Sequence, residues 1–415
     1  MAKRLLLTLW AVCTLTAAHA LTLEECLRLA RDNYPAIRQY GLVEAAKEYD
    51  TDNAGKAWLP AVSVQAGAYA FTDILKQNSA ASRAGVDIDN HLAAAAVTVR
   101  QTVYDGGRTA AGKRAAAAKW EAEARQTDTD MYAVKARVQE IYFGILLIDE
   151  QTRLNDILQA DLATVAKNVE DMMRGGVANQ SDLDALNAEL LSAAQQREAY
   201  EATRAAYLKM LGMFVGRVLD SATVIERPSM PAASRGTESL RPEMAYFASQ
   251  DAILDARRRQ LDANLRPTLG FMGMGTLHTK LSGMLNKGLV AGGLTLSWDI
   301  GALYTRKNDL RKLETLRQQN DARRQTFVFQ NHLSQEEADG SVAALRKQLA
   351  GDDGIVSLRE SIRAAAAKKV AAGTESANEL ARDINAVNRA RVQRAAHEIQ
   401  LLKALYNLRY LKGEL

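Results

Sequence analysis

Two kinds of apolar spacing alternate along this chain. Leu154, Leu158, Leu162, Val165, Val169 and Met172 recur at three- and four-residue steps, which puts one apolar stripe on a helix. Leu183, Leu186, Leu190 and Ala193 do the same for a second helix. Between them, Gly175 and Gly176 end the first helix, since glycine takes the left-handed conformation without steric cost. Ser181 and Asp182 then supply a side-chain acceptor and a negative charge where the second begins. This predicts a helical hairpin with its tip at 175–182. Before it the period is two. After Pro60, Val62, Val64, Ala66 and Ala68 alternate with Ser63, Gln65, Gly67 and Tyr69, and Val97, Val99, Gln101 and Val103 alternate with Thr98, Arg100 and Thr102. These are two strands, each with one apolar face, joined by a polar loop over 72–90. Asp105-Gly106-Gly107 turns the second strand into a long helix that meets no proline before Gly175, a run of about 100 Å at 1.5 Å per residue.

The pattern then recurs. Pro35 and Pro60 stand 25 residues apart, as do Pro242 and Pro267. After Pro267, Leu269, Phe271, Gly273 and Gly275 alternate along a strand, and Val290 to Trp298 returns. Asp299-Ile300-Gly301 stands where Asp105-Gly106-Gly107 stood, and a second tip reads Gly373-Thr374-Glu375-Ser376-Ala377-Asn378-Glu379-Leu380. An acid-Leu pair begins six residues past the glycine in both tips, at Asp182-Leu183 and Glu379-Leu380. The chain therefore reads as a duplication. Residues 21–227 form a first repeat with strands at about 60–104 and a helical hairpin at about 107–212. A linker with Pro228 and Pro231 covers 228–240. Residues 241–415 form a second repeat with strands at about 267–298 and a hairpin at about 302–411. Thr22-Leu23-Glu24-Glu25 caps a short leading helix, and Gly351-Asp352-Asp353-Gly354 predicts a local break in the second long helix.

Composition narrows the function. Lys3 and Arg4, an apolar run from Leu5 to Leu15 and Ala18-His19-Ala20 read as a secretory signal peptide over 1–20. Setting it aside removes two of the 53 basic residues against 49 acidic ones, a net charge of +2, which is no footprint for nucleic acid. One cysteine remains, Cys26, so no disulfide forms within the chain. His91, His278, His332 and His397 are scattered over separate elements and make no metal constellation. The Asp-Gly-Gly turn lacks a phosphate-loop lysine, no catalytic set stands out, and no cofactor is expected. No apolar run approaches the roughly 20 residues of a membrane-spanning helix. Four strands cannot close a barrel, and their length of about 10 residues suits a tilted crossing of an outer membrane. Long striped helices with no globular partner bury those stripes only side by side. Several copies must therefore combine into a tube, part strand and part helix.

From residue 21 to 415 the chain resembles the TolC-like outer-membrane efflux proteins, through the LTLEECLRLARDNYPAI opening, the LPAVSV strand start, VYDGG before a long helix, and the GVANQSDL and GTESANEL tips. The resemblance implies a homotrimer: a 12-stranded outer-membrane β-barrel continued by a periplasmic α-helical barrel. It implies a passive exit duct of a tripartite efflux pump or type I secretion system for small molecules or peptides. A periplasmic adaptor and an inner-membrane pump would be its partners. On this pattern Gly175, Gly176, Asp182, Gly373 and Glu379 form periplasmic tips that meet the adaptor, although the acids would also serve as ordinary helix caps. Arg382 stands where a further aspartate is expected, followed by Asp383. The pair marks an aperture whose charge departs from an acid ring. Arg100 and Thr102 are lumen candidates on the wet face of a strand, and Trp58, Tyr104 and Trp298 fall near strand ends. The rival reading is a secreted periplasmic coiled-coil adaptor or scaffold without a pore, which has no use for alternating strands.

Overall fold

A computed structural model describes residues 20–70, 91–176, 178–231, 241–280 and 284–415. The leader, the 72–90 loop and the linker beyond Pro231 lie outside the described residues. The elements run in the order α1 (Leu23–Asn33), a 3-10 turn, α2 (Arg38–Gly55), a second 3-10 turn, β1 (Ala61–Ala70), β2 (His91–Tyr104), α3 (Arg108–Arg174), α4 (Gln180–Val215), α5 (Pro242–Asn264), β3 (Thr268–Lys280), β4 (Met284–Ser297), α6 (Ala302–Ala371) and α7 (Ala377–Lys412). The chain is mainly helical with a small antiparallel sheet. His91 and His278 lie in β2 and β3.

Two compact units emerge, and each draws on both repeats. One comprises 1–37, 128–242 and 327–415, the other 38–127 and 243–326. In the first, Thr22 caps α1 by accepting from the Glu25 N–H at 3.2 Å. A core of Leu23, Cys26, Val138, Ile141, Phe143, Ile145, Leu208, Leu211 and Tyr406 gathers around α1, α3, α4 and α7. Leu21 pairs with the segment around Ile225: its N–H donates to the Val224 carbonyl at 2.9 Å and its carbonyl accepts from Glu226 at 3.1 Å. The buried Tyr142 hydroxyl donates to the Leu21 and Glu226 carbonyls, and burial pushes it above the usual phenol range, so it stays a donor. Arg241 is buried in an aromatic cage, its guanidinium 4.8 Å from the Tyr410 ring, 4.9 Å from Tyr132 and 5.6 Å from Phe327. Desolvated cation–π contacts of this kind contribute on the order of 2 kcal/mol each.

The break expected at Gly351–Gly354 is absent. Helix α6 runs continuously for 70 residues. Each glycine costs a helix interior about 1 kcal/mol, but the two aspartates between them are tied to α7. Asp352, 6% exposed, takes a hydrogen bond from His397 Nδ1 at 2.7 Å, and Asp353 pairs with Arg394 at 2.5 Å. Lateral bonding from a neighbouring helix offsets the local weakness.

In the second unit all four strands form one antiparallel sheet in the order β1-β2-β3-β4. Asp105 closes the strand-to-helix turn. Its carboxylate accepts from the Gly107 N–H at 2.7 Å and the Thr109 N–H at 2.6 Å. Gly106 and Gly107 take φ of 69° and 89°. A side chain on Gly106 would come within 2.7 Å of Arg266 Cβ, so conformation and space both demand glycine there.

Candidate functional site

Register gives the sheet two unlike faces. Val62 lies opposite Val99, Val64 opposite Val97, Leu269 opposite Leu296 and Phe271 opposite Leu294. Directly paired residues share a face, so these side chains form one apolar, largely aliphatic surface. It is uncovered: Val64 is 71% exposed and Leu294 77%. The other face carries Ser63 opposite Thr98, Arg100 opposite Met272 and Thr102 opposite Gly270. Arg100 is exposed and Thr102 half-buried, both on the polar face. A register shift between Thr102 and Tyr104 leaves Val103 without a partner in β3. Among the described residues, strands β1 and β4 each pair on one side only and present an open edge. At the helical end of the sheet, Trp58, Tyr104 and Trp298 are exposed. Trp298 Nε1 donates to the Leu265 carbonyl at 2.9 Å, and the Trp58 carbonyl accepts from Gln101 at 2.7 Å.

The two helical tips lie in the other unit, and they pack together. Leu162, Val169 and Leu186 of the first hairpin share one buried cluster with Ala366, Val370, Leu380, Ala381 and Ile384 of the second. Arg363 ties α6 to Asp161 of α3 at 2.8 Å, and Asn385 of α7 donates to Glu189 of α4 at 2.9 Å. Among the described residues of the first tip only Gly176 is left-handed, at φ 74°; Gly175 is not. The start of α4 differs from the expected one. Asn179 is the cap, its side chain accepting from the Asp182 N–H at 3.0 Å, and Ser181 lies inside the helix. Both residues are good caps, and the extended backbone of Asn179 decides between them. In the second tip the Thr374 N–H reaches the Lys369 carbonyl and the Gly373 N–H the Val370 carbonyl, both at 2.9 Å. With Gly373 at φ 70° this is a Schellman ending. Ser376 then caps α7 by accepting from the Glu379 N–H at 3.3 Å.

Asp182 and Glu379 thus sit in the first turns of α4 and α7, the expected place for a carboxylate against the helix dipole. Arg382 is exposed and Asp383 half-buried on the following turn of α7. Neither has an ion-pair or hydrogen-bond partner among the described residues, whereas Arg391 and Arg394 further along pair with Glu360 and Asp353. No group of three or more metal-ligating side chains occurs among the described residues. The sequence pattern missed the Arg241 cage and the Asp352–His397 pair. Each joins residues far apart in the chain with no local signature.

No protein-family model matches the chain, and neither does any curated protein sequence. Solved structures do match. The VceC outer membrane protein of Vibrio cholerae superposes with a TM-score of 0.70 over 94% of this chain and 96% of that one, at 13% identity. The Campylobacter jejuni CmeC outer membrane channel gives 0.68 over 94% and 85%, at 14% identity. The open state of the Neisseria gonorrhoeae MtrE outer membrane channel gives 0.67 over 94% and 88%, at 15% identity. With its duplicated strands, paired helical hairpins and small four-stranded sheet, the chain has the fold of the TolC-like outer-membrane channels.

Proposed function

We propose that three copies of this chain form an outer-membrane channel-tunnel, the passive exit duct of a tripartite efflux pump or a type I secretion system. The sheet carries this reading. A four-stranded sheet with an uncovered aliphatic face and two open edges is stable neither in water nor in lipid by itself. Joining the β4 edge of one copy to the β1 edge of the next closes a 12-stranded barrel in three steps, with Val64, Phe271 and Leu294 against lipid and Arg100 and Thr102 toward the lumen. The interface is heterologous, and rotation closes it into a ring. The exposed indoles of Trp58 and Trp298 then lie at the membrane boundary.

The paired tips support the second half of the reading. Two capped hairpin ends locked by one apolar cluster present Gly175, Gly176 and Asp182 beside Gly373 and Glu379, which offers a periplasmic adaptor a rigid surface. Arg382 and Asp383 follow on α7 and line the aperture. An inner-membrane pump supplies the energy, and the cargo is small molecules or peptides. A soluble scaffold without a pore leaves the aliphatic sheet face unexplained. The test is extraction of the mature protein from cell envelopes. A channel fractionates with outer membranes and runs as a trimer in mild detergent, whereas release as a water-soluble monomer refutes the proposal.

A further inference from the structure

A groove between α5 and α6, in the unit that carries the sheet, brings unpaired cations together with leucine side chains. Its volume is about 480 Å³, and its lining includes Arg108, Arg257, Lys312 and Asp309 with half-buried Leu261, Leu313 and Leu316. Arg257 and Lys312 have no ion-pair or hydrogen-bond partner among the described residues. Of the neighbouring acids, Asp262 pairs with Arg306 at 3.1 Å and Asp255 with Arg317, while Asp309 in the lining makes no ion pair among the described residues and offsets one of the three cations. Arg108 donates from Nη2 to the Asn264 carbonyl at 3.1 Å, yet its Nε is buried with no partner, a state that protein donors rarely keep. Three cations against one carboxylate, a spare donor and three leucines thus collect in one cleft.

The cleft adjoins the helical end of the sheet, the end that carries the indoles. Arg108 follows the last residue of β2 by four positions, and Asn264 precedes β3 by four. Trp298, the exposed indole at the end of β4, bonds the carbonyl of Leu265, the residue after Asn264. Lys312 lies some turns further along α6, and its four-carbon stem can carry the ammonium back toward the headgroup level. A soluble anion has no use for the leucines, whereas an amphiphile uses leucines and cations together. We propose that this groove holds the phosphate of an anionic phospholipid from the periplasmic leaflet of the outer membrane, with the acyl chains running up toward the aliphatic face of the sheet. The inference rests on the membrane-spanning reading above.

The test uses the full mature chain reconstituted in vesicles of phosphatidylcholine, with or without one-quarter phosphatidylglycerol, and measures the phosphatidylglycerol retained per chain. A cation beside an anionic lipid surface contributes about five-fold in binding, so R257Q/K312Q is expected to weaken retention about thirty-fold. R259Q/R311Q removes the same charge from the same two helices outside the groove, and wild-type retention is expected. Equal loss in both variants would reduce the site to a diffuse basic belt and overturn the proposal. So would a wild-type protein that inserts and conducts yet shows no preference for phosphatidylglycerol, and in that case the channel reading survives. A wild-type protein that fails to float with either vesicle removes the membrane reading and the lipid site with it.

Discussion

Replacing Gly176 isolates one physical effect, because the site has space but not conformational freedom. An added Cβ would meet nothing within 4 Å, so no steric clash contributes. The backbone sits at φ 74°, where a side chain costs about 1–2 kcal/mol and a β-branched one lies at or above the upper end. Gly176→Asn is expected to be nearly neutral, Gly176→Ala to cost about 1 kcal/mol and Gly176→Val about 2 kcal/mol or more. At the last step, opening of the tip becomes about thirty times more frequent. The bonds that fray first are Gly175 N–H to Asp171 at 3.3 Å and Gly176 N–H to Met173 at 2.9 Å. Amide hydrogen exchange at these positions should rise in the order Asn, Ala, Val. Crosslinking to the adaptor should fall in the same order, while trimers remain intact. Wild-type exchange in Gly176→Val would refute the conformational argument. Normal crosslinking despite faster exchange would remove this tip from the docking surface.

Other expectations follow from the same structure. Leu294→Arg places a charge on the aliphatic sheet face opposite Phe271 and should cost about 2–4 kcal/mol of membrane stability, read from trimer melting in detergent micelles and urea titration in vesicles; an unchanged profile would contradict a lipid-facing surface. His397→Ala leaves the buried Asp352 without its partner and should destabilise by about 1–3 kcal/mol, whereas adding Asp352→Ala to it should recover part of the loss; a strictly additive pair would show that the contact carries no coupling. Burial raises the Asp105 carboxyl, but the Thr109 hydroxyl and the N–H groups of Thr109 and Gly107 outweigh it and hold the group below the usual carboxylate range. The stability from this depressed carboxyl is complete above about pH 4 and is lost as pH falls through its folded value. Asp105→Ala should therefore lower stability by about 0.5–2 kcal/mol at neutral pH and flatten the acid limb of the stability curve. Cys26 is fully buried and its thiol is pushed up to about 12, so alkylation at pH 8 should report unfolding and leave the native protein unlabelled.

Much of this architecture could be read locally, and the exceptions share a cause. Strand alternation, the two tips and the Asp-Gly-Gly turn depend on residues within a few positions of one another, so spacing and glycine placement announce them. The break expected at Gly351–Gly354 came from propensity alone. What holds that turn helical is His397 and Arg394, more than forty residues away, which no window of sequence contains. The cap of α4 was ambiguous for a different reason. Asn179 and Ser181 are both competent acceptors two positions apart, and only the backbone angle separates them. The mutual packing of the tips, with Leu162 and Leu186 against Leu380 and Ile384, joins the two repeats and has no signature in either. The groove under Trp298 was equally invisible, because unpaired cations look like a solvated helix face until their neighbours are known.

Conductance of the purified mature protein in a planar lipid bilayer tests the central claim most directly. A trimeric duct closed from three open sheets predicts discrete, long-lived current steps from detergent-solubilised trimers, and fewer or shorter-lived steps when Leu294→Arg destabilises the sheet in lipid by about 2–4 kcal/mol. A well-folded wild-type preparation that stays monomeric in water and never passes current would contradict the account.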